Sequence, residues 1–157
     1  MDVKEFLKNN NISFKEFTHP PVFTCEEADK HLIYSDIKGV HSKNLFLKER
    51  NSKRFYLVLI PANKKLDLNE IETITGDKIK FANEDELKNI LGLTKGSVSP
   101  FGLINDINQI TNVLIDKEIW VSKYVSFHPN INTETLELLG LDFQKYLSLV
   151  TKSITLI

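Results

Sequence analysis

The alternation of apolar and polar residues between positions 39 and 61 predicts a β-hairpin at the centre of the fold. An apolar run at 45–47 directly follows Lys43 and Asn44, and a second run at 54–60 comes after the polar residues 49–53. Two β-rich runs that are joined by a short polar turn are typical of a hairpin. Because the second run is apolar at nearly every position, it predicts a strand that is covered on both faces.

Weaker patterns place further helices and strands along the chain. Caps and apolar spacing predict helices that begin after Asp2, Thr24 and Asn83, a helix over residues 67–74 that Gly76 ends, and another over residues 141–150. Strands are predicted at residues 12–17, 78–81, 109–115, 124–127, 133–138 and 153–156. A turn is predicted at 116–117, and the three glycines and one proline of residues 92–102 predict an ordered loop without regular structure.

The order of these elements predicts the fold class. Strands and helices are interspersed without a strict βαβ rhythm, and several strands are close enough in sequence to pair antiparallel. This order indicates an α/β chain of the α+β type, with a mixed, largely antiparallel sheet and peripheral helices. With 157 residues and no repeat, linker or low-complexity segment, a single domain over residues 1–157 is expected.

Composition narrows the class of protein. The chain is 41% apolar and 26% charged, as in an ordinary soluble globular protein. No apolar run approaches the roughly 20 residues that a membrane span requires, and the N-terminus does not resemble a signal peptide. The single cysteine, Cys25, excludes an internal disulfide framework and a cysteine-based metal cluster, and we interpret it as a small filler residue. These features predict a cytoplasmic protein that does not bind a membrane.

Charge is distributed unevenly along the chain. The formal net charge is -1, so no global field attracts nucleic acid. Residues 38–54, however, contain six basic residues and one acid, Glu49. Such a local basic segment suits a partner that presents a few phosphates, although a solvated hairpin tip gives the same pattern.

Known catalytic and nucleotide-binding motifs do not account for this sequence. It contains no GxGxxG, no GxxxxGK[ST] and no GxSxG, and its four histidines lack the paired spacing of a metal site, so neither a metal nor another cofactor is predicted. Three short pieces remain as candidates: Lys43 with Asn44, the glycine-to-proline loop at 96–100, and the His-Pro-Asn segment at 128–130. Each is weak alone, because a strand-end lysine can extend its ammonium into water and a lone histidine is often structural.

Taken together and in this order, the three pieces resemble a known family. The sequences GVHSKNLFLK at 39–48, GLTKGSVSPFGL at 92–103 and FHPN at 127–130 are similar to those of the YbaK/prolyl-tRNA-synthetase-associated editing domains. Within that family they are closest to the free-standing alanyl-tRNA(Pro) deacylases, the ProXp-ala or PrdX group. The resemblance covers nearly the whole chain. It implies a YbaK-like fold, with the sheet forming a partial barrel.

The resemblance also implies an activity, which is trans-editing. Prolyl-tRNA synthetase mischarges tRNA(Pro) with alanine, and a separate domain then hydrolyses the incorrect ester. A second pocket that selects by size is useful because a binding pocket discriminates poorly against a smaller substrate. The implied partner is the acceptor end of mischarged tRNA. Prolyl-tRNA synthetase remains open as a second partner, and a monomer is expected.

The resemblance implies roles for individual residues, in a mechanism without a metal or a covalent intermediate. Lys43 is expected to hold the terminal adenosine or its phosphate, or else to act as a general base if burial favours its neutral amine. The backbone of the 96–100 loop is expected to donate hydrogen bonds to the ester carbonyl oxygen. Catalytic roles are thus expected for Lys43, Gly96, Ser97 and His128, substrate binding for Asn44, Val98, Pro100 and Asn130, and contacts with tRNA phosphates for Lys48 and Arg50.

Two alternatives remain open from the sequence. One is a deacylase of the same family that acts on cysteinyl-, seryl- or threonyl-tRNA, since the sequence does not give the volume of the pocket. The other is a non-catalytic module that recruits tRNA or a synthetase. Such a module would keep the basic hairpin but would need neither Lys43 nor the 96–100 loop.

Overall fold

The computed structural model describes residues 2–21, 37–51 and 53–157. The predicted helix cap at Thr24 and the neighbouring Cys25 lie outside these ranges. The helices are α1 (Val3–Asn9), α2 (Leu68–Thr75), α3 (Glu84–Leu91), a 3₁₀ helix (Pro100–Asn105), α4 (Lys117–Trp120) and α5 (Gly140–Val150).

The strands of the described chain form two sheets. They are β1 (Lys15–Thr18), β2 (Ser42–Glu49), β3 (Phe55–Pro61), β4 (Ile79–Phe81), β5 (Thr111–Ile115), β6 (Tyr124–Phe127), β7 (Glu134–Leu139) and β8 (Ile154–Leu156). One sheet has the order β1-β7-β6 and is antiparallel throughout. The other has the order β4-β2-β3-β5-β8, and its pairs with β5 are parallel. The predicted mixed, largely antiparallel α+β architecture is therefore confirmed, with its strands divided between two sheets.

The predicted hairpin is confirmed at the centre of the larger sheet. Strands β2 and β3 pair antiparallel, from Ser42 opposite Pro61 to Lys48 opposite Phe55. Every residue of β3 is buried, as the unbroken apolar run predicted. Side chains of a strand point alternately to its two faces, so a strand that is buried throughout needs packing on both.

Two apolar clusters supply this packing. Leu57 and Leu59 of β3 belong to a large cluster, to which α1, α3, α5 and both sheets contribute. The alternating residues Tyr56 and Val58 belong to a smaller cluster with Ile71 of α2. Strand β3 therefore separates the two clusters, and the ends of the β2–β3 hairpin are fixed relative to both.

The sequence signals for helix ends are confirmed where the structure describes them. Asp2 and Asp67 cap α1 and α2 through their carboxylates, and Asn83 forms a capping box with Glu86 at the start of α3. Gly76 ends α2 in the left-handed conformation that glycine adopts most easily. Local chemistry therefore sets these boundaries independently of the distant packing.

Two predictions of irregular structure were wrong. Part of the expected loop at 92–102 is the start of the 3₁₀ helix, because Ser99 caps it and Pro100 occupies its first turn. The turn expected at 116–117 is the start of α4, where Asp116 accepts the backbone N–H of Glu118. Proline and aspartate occur at both turns and helix starts, which explains both errors.

The segment before β2 joins the two sheets. Val40 forms an isolated parallel bridge with Val125 of β6. Gly39 packs so closely there that an added Cβ would lie 2.6 Å from the carbonyl carbon of Val125. Glu137 of β7 accepts the backbone N–H groups of Lys38 and Gly39 at 2.6 and 2.9 Å. The start of β2 is therefore fixed against the smaller sheet.

We predict that Tyr146→Phe destabilises the fold by about 1–3 kcal/mol, because its fully buried hydroxyl donates to the Pro100 carbonyl at 2.8 Å. Removal of the hydroxyl leaves this buried carbonyl without its donor. Urea unfolding of wild type and variant measures the loss in free energy of unfolding, provided that the m-value is unchanged. Tyr124→Phe, at a partly exposed tyrosine, is the control, and equal stabilities of the two variants would contradict the prediction.

Candidate functional site

The side-chain amide of Asn44 connects β2 to the 96–100 loop. Its Nδ2 donates to the backbone carbonyl of Val98 at 3.1 Å, and its Oδ1 accepts the hydroxyl of Ser42 at 2.7 Å. Ser42 and Asn44 are two positions apart and therefore share one face of β2. Both ends of the amide are thus held, and two segments 54 residues apart meet at the start of β2.

The same loop is attached to the third predicted piece of the site. Ser99 is fully buried, and its hydroxyl donates to the backbone carbonyl of His128 at 2.5 Å. Asn130 donates from Nδ2 to the carbonyl of Phe101 at 3.3 Å and has a positive φ of 66°. The structure therefore brings together Asn44, the 96–100 loop and the 128–130 segment.

The loop itself is shaped by Gly96, which adopts a positive φ of 89°. The N–H of Ser97 donates to the Thr94 carbonyl at 3.1 Å and closes the turn. The N–H of Ser97 is therefore already hydrogen-bonded within the loop, whereas the loop backbone was expected to donate to the ester carbonyl oxygen. Pro100 is buried at the first position of the 3₁₀ helix, where its carbonyl bonds Tyr146, so its part is to hold the end of the loop.

Lys43 occupies a different position from the one expected. Successive side chains of a strand point to opposite faces, so Lys43 projects away from the face that carries Asn44. Its ammonium donates to the backbone carbonyl of Lys64 at 2.7 Å, in the turn after β3. The lysine thus lies at the same end of β2 as the loop, but its ammonium points to the other side of the sheet. The expected direct convergence of ammonium and loop is not seen in the contacts of the described residues.

The hydrogen bonding of His128 defines which ring nitrogen carries a proton. Its Nδ1 lies 2.9 Å from the backbone carbonyl of Glu134, and a carbonyl can only accept. Nδ1 therefore donates, and the neutral ring keeps a lone pair on Nε2. Burial lowers the pKa of His128 below its ordinary value of 6.5, against the opposing effect of the Glu134 bond. A neutral imidazole with a free lone pair can orient or deprotonate a water molecule.

The sequence reasoning missed a neighbour of this histidine. The ring of His19 lies 5.9 Å from that of His128, and its Nε2 lies 2.8 Å from the hydroxyl of Thr135. Local sequence patterns do not indicate the contact between His19 and Thr135, because these two residues are 116 positions apart in sequence. Ser42 and Ser99 were also missed as supporting residues, although the spacing of Ser42 and Asn44 on one strand is a detectable signal.

The predicted phosphate contacts differ from each other. Lys48 forms an ion pair of 2.5 Å with Glu86, and both side chains are about four-fifths buried. Burial opposes ionisation of Glu86, but the Asn83 backbone N–H and Lys48 outweigh it and lower the pKa of Glu86. The ammonium of Lys48 is therefore occupied by a mostly buried ion pair, which disfavours Lys48 as a phosphate ligand. Arg50, at the hairpin tip, is exposed.

The six basic residues of the 38–54 segment do not form one patch. Strand β2 has eight residues at about 3.3 Å each, so Lys38 and Lys43 lie far from the hairpin tip. At the tip, Arg54 pairs with Asp77 at 3.0 Å. The predicted local positive segment is therefore divided in space and partly neutralised.

The chemistry available at this site is that of positioning. Side-chain amide and backbone groups meet there, and the adjoining segment carries the imidazole of His128, whereas the nearby Ser99 hydroxyl is buried and already bonded. Among residues 2–21, 37–51 and 53–157, no group of three or more His, Cys, Asp or Glu residues could hold a metal ion. None of the helices in these same ranges has the length and apolar character that a membrane crossing requires.

The chain is similar to known aminoacyl-tRNA editing proteins. The family model of the aminoacyl-tRNA editing domain matches residues 19–146. The chain is 38% identical over 152 residues to the prolyl-tRNA editing protein ProX of Acetoanaerobium sticklandii, covering 92% of this chain and 90% of that protein. It is 32% identical over 149 residues to prolyl-tRNA synthetase associated domain-containing protein 1 of Danio rerio, covering 93% and 79%.

A solved structure gives the same fold. The crystal structure of a candidate trans-editing enzyme for prolyl tRNA synthetase matches with a TM-score of 0.73 and 18% identity, covering 98% of this chain and 92% of that one. The family match spans the 96–100 loop, the 128–130 segment and β2. The chain therefore belongs to the aminoacyl-tRNA editing domain family, whose chemistry is the hydrolysis of aminoacyl-tRNA esters.

Proposed function

We propose that this protein is a trans-editing hydrolase that deacylates mischarged Ala-tRNA(Pro) at the 3′ end of the tRNA. The observation that carries the proposal is the joining of β2, the 96–100 loop and the 128–130 segment by the Asn44–Val98 and Ser99–His128 hydrogen bonds. The similarity to a prolyl-tRNA editing protein supports tRNA(Pro) as the substrate class. The preference for alanine is part of the proposal.

An aminoacyl ester is already activated, so the enzyme has mainly to position the ester and a water molecule. We assign the developing negative charge on the ester oxygen to backbone N–H groups of the 96–100 loop. The N–H of Ser97 is occupied by Thr94, so the donors are those of Gly96 and Val98, for which no hydrogen bond to a described residue is seen. One such donor is typically worth about 2.7–4 kcal/mol.

The remaining polar groups bind or orient the substrate in this proposal. His128 presents the lone pair of Nε2 to the attacking water, since Nδ1 is held by Glu134. Asn130 contributes a hydrogen-bond acceptor for the substrate, because its Oδ1 is buried without a hydrogen-bond partner among the described residues. Asn44 fixes the loop through Val98. Lys43, on the opposite face of β2 from Asn44, holds the terminal phosphate with the two ammonium protons that its bond to Lys64 leaves available.

The direct test is hydrolysis of a panel of mischarged tRNAs. We expect rapid deacylation of Ala-tRNA(Pro), slower deacylation of cysteinyl-, seryl- and threonyl-tRNA, and no deacylation of Pro-tRNA(Pro). A preference for one of the other aminoacyl groups would transfer the assignment to that deacylase. Tight tRNA binding without hydrolysis of any of these esters would contradict the proposal and favour a non-catalytic binding module.

We predict that Lys43→Ala lowers kcat/KM for Ala-tRNA(Pro) by about 10- to 100-fold, because a hydrogen bond to a charged group is worth about 1.5–3 kcal/mol. Lys65→Ala is the matched control, since Lys65 is exposed and lies next to the turn that binds Lys43. Initial rates with acylated tRNA measure the effect. Full activity of Lys43→Ala would remove the lysine from the mechanism.

We predict that activity is lost on acidification, with an inflection below pH 6.5. Because burial lowers the pKa of His128, the neutral imidazole predominates at and above its ordinary value of 6.5. Activity is therefore retained above this value and falls only as the pH drops through the lowered pKa. The pH profile of kcat/KM, corrected for uncatalysed ester hydrolysis, measures this dependence. His128→Gln should lack the acidic limb, and the same limb in this variant would exclude His128 as its source.

A further inference from the structure

A chain of two contacts connects Lys43 to the start of α4. The Lys43 ammonium donates to the carbonyl of Lys64 at 2.7 Å, and the Lys64 ammonium donates to the Asp116 carboxylate at 2.8 Å. Lys64 thus contacts Lys43 through its backbone carbonyl and Asp116 through its side-chain ammonium. These contacts leave the face of β2 that carries Asn44 untouched.

The turn that presents the Lys64 carbonyl is itself fixed. The N–H of Lys64 donates to the Pro61 carbonyl at 3.0 Å, which closes the turn after β3. The N–H of Ala62 donates to the His41 carbonyl at 3.0 Å, which holds the turn beside the start of β2. Backbone contacts therefore hold the turn at the N–H groups of Ala62 and Lys64. The Lys64 side chain supplies a further attachment, to Asp116.

Asp116 is the rigid partner of this arrangement. Its side chain is only 11% exposed, against 52% for Lys64. Its N–H donates to the Leu59 carbonyl at 2.9 Å, and its Oδ1 caps α4 by accepting the N–H of Glu118 at 2.8 Å. Oδ2 is the oxygen that binds Lys64. The two carboxylate oxygens therefore have separate partners, one in the helix and one in the turn.

We propose that Lys64 and Asp116 are positioning residues for Lys43. The Asp116–Lys64 ion pair restrains the turn, and the turn restrains the Lys43 ammonium through the Lys64 carbonyl. One ammonium proton is used in this way and two remain for a ligand. Prior restraint of a long, flexible side chain lowers the entropy that it loses on binding. The consequence for catalysis rests on the proposed function, whereas the restraint of Lys43 does not.

Asp116→Asn tests the restraint with little change to the helix cap, because asparagine caps as well as aspartate does. The matched control is Asp67→Asn, which changes the N-cap of α2 in the same way. We expect Asp116→Asn to lower kcat/KM for Ala-tRNA(Pro) by about three- to fivefold, in line with a solvent-accessible ion pair. Asp67→Asn should leave it unchanged. Lys64→Met should match Asp116→Asn, and Lys64→Arg should restore the wild-type value.

Competitive acetylation followed by peptide mass spectrometry tests the restraint without catalysis. The rate of Lys43 acetylation, relative to that of Lys65, should rise about threefold in Asp116→Asn and stay constant in Asp67→Asn. This readout remains valid even if no mischarged tRNA is hydrolysed, so failure of the proposed function can be distinguished from failure of this inference. Equal Lys43 labelling in wild type and Asp116→Asn would overturn the proposal.

A double-mutant cycle separates positioning of Lys43 from a general structural effect. If Asp116 acts through Lys43, Asp116→Asn should have no further effect on the residual single-turnover rate of Lys43→Ala. An equal loss in the wild-type and Lys43→Ala backgrounds would show that Asp116 acts independently of the lysine and would contradict the inference. The midpoints of thermal unfolding of all variants should stay close to that of the wild type.

Discussion

The hydrogen bond from the Asn44 amide to the Val98 carbonyl is the contact on which the arrangement of the site depends. Asn44 belongs to a strand whose register is fixed on both sides, whereas Val98 belongs to a loop without regular structure. The bond therefore transfers the rigidity of the sheet to the loop. Since Ser42 holds the other end of the amide, this orientation of Asn44 is favoured over the flipped one.

The rest of the fold supports this contact from two directions. On one side, β3 lies between two apolar clusters and fixes the hairpin that carries Asn44. On the other, Tyr146 of α5 holds the Pro100 carbonyl, and Ser99 holds the His128 carbonyl. Buried polar groups must be paired, so each of these bonds also restricts where the loop can lie. A site that works by positioning requires this kind of support.

Local patterns predicted the elements well, but they predicted the relations between side chains less well. The unbroken apolar run of β3, the caps at Asp2 and Asn83, and the glycine at the end of α2 each carry their own signal. The 3₁₀ helix was missed because a serine before a proline also begins a turn. The resemblance to the editing family identified the segments that meet, but not their contacts.

The position of Lys43 shows the limit of this reasoning most clearly. Adjacency in sequence placed Lys43 and Asn44 in one candidate site, but the period of a strand sends their side chains to opposite faces. Because the Lys43 side chain lies on the face opposite Asn44, its ammonium donates to the Lys64 carbonyl in the turn after β3. Likewise, the pairing of Lys48 with Glu86 depends on residues 38 positions apart and has no local signal.

The most direct measurement is an NMR titration of the ¹⁵N-labelled protein with a stable amide analogue of 3′-alanyl-adenosine. If the ester binds between β2 and the loop, the Asn44 side-chain amide and the backbone amides of Gly96 and Val98 should show the largest shifts. Shifts confined to the hairpin tip around Arg50, with Asn44 and Val98 unchanged, would contradict a site built on their contact.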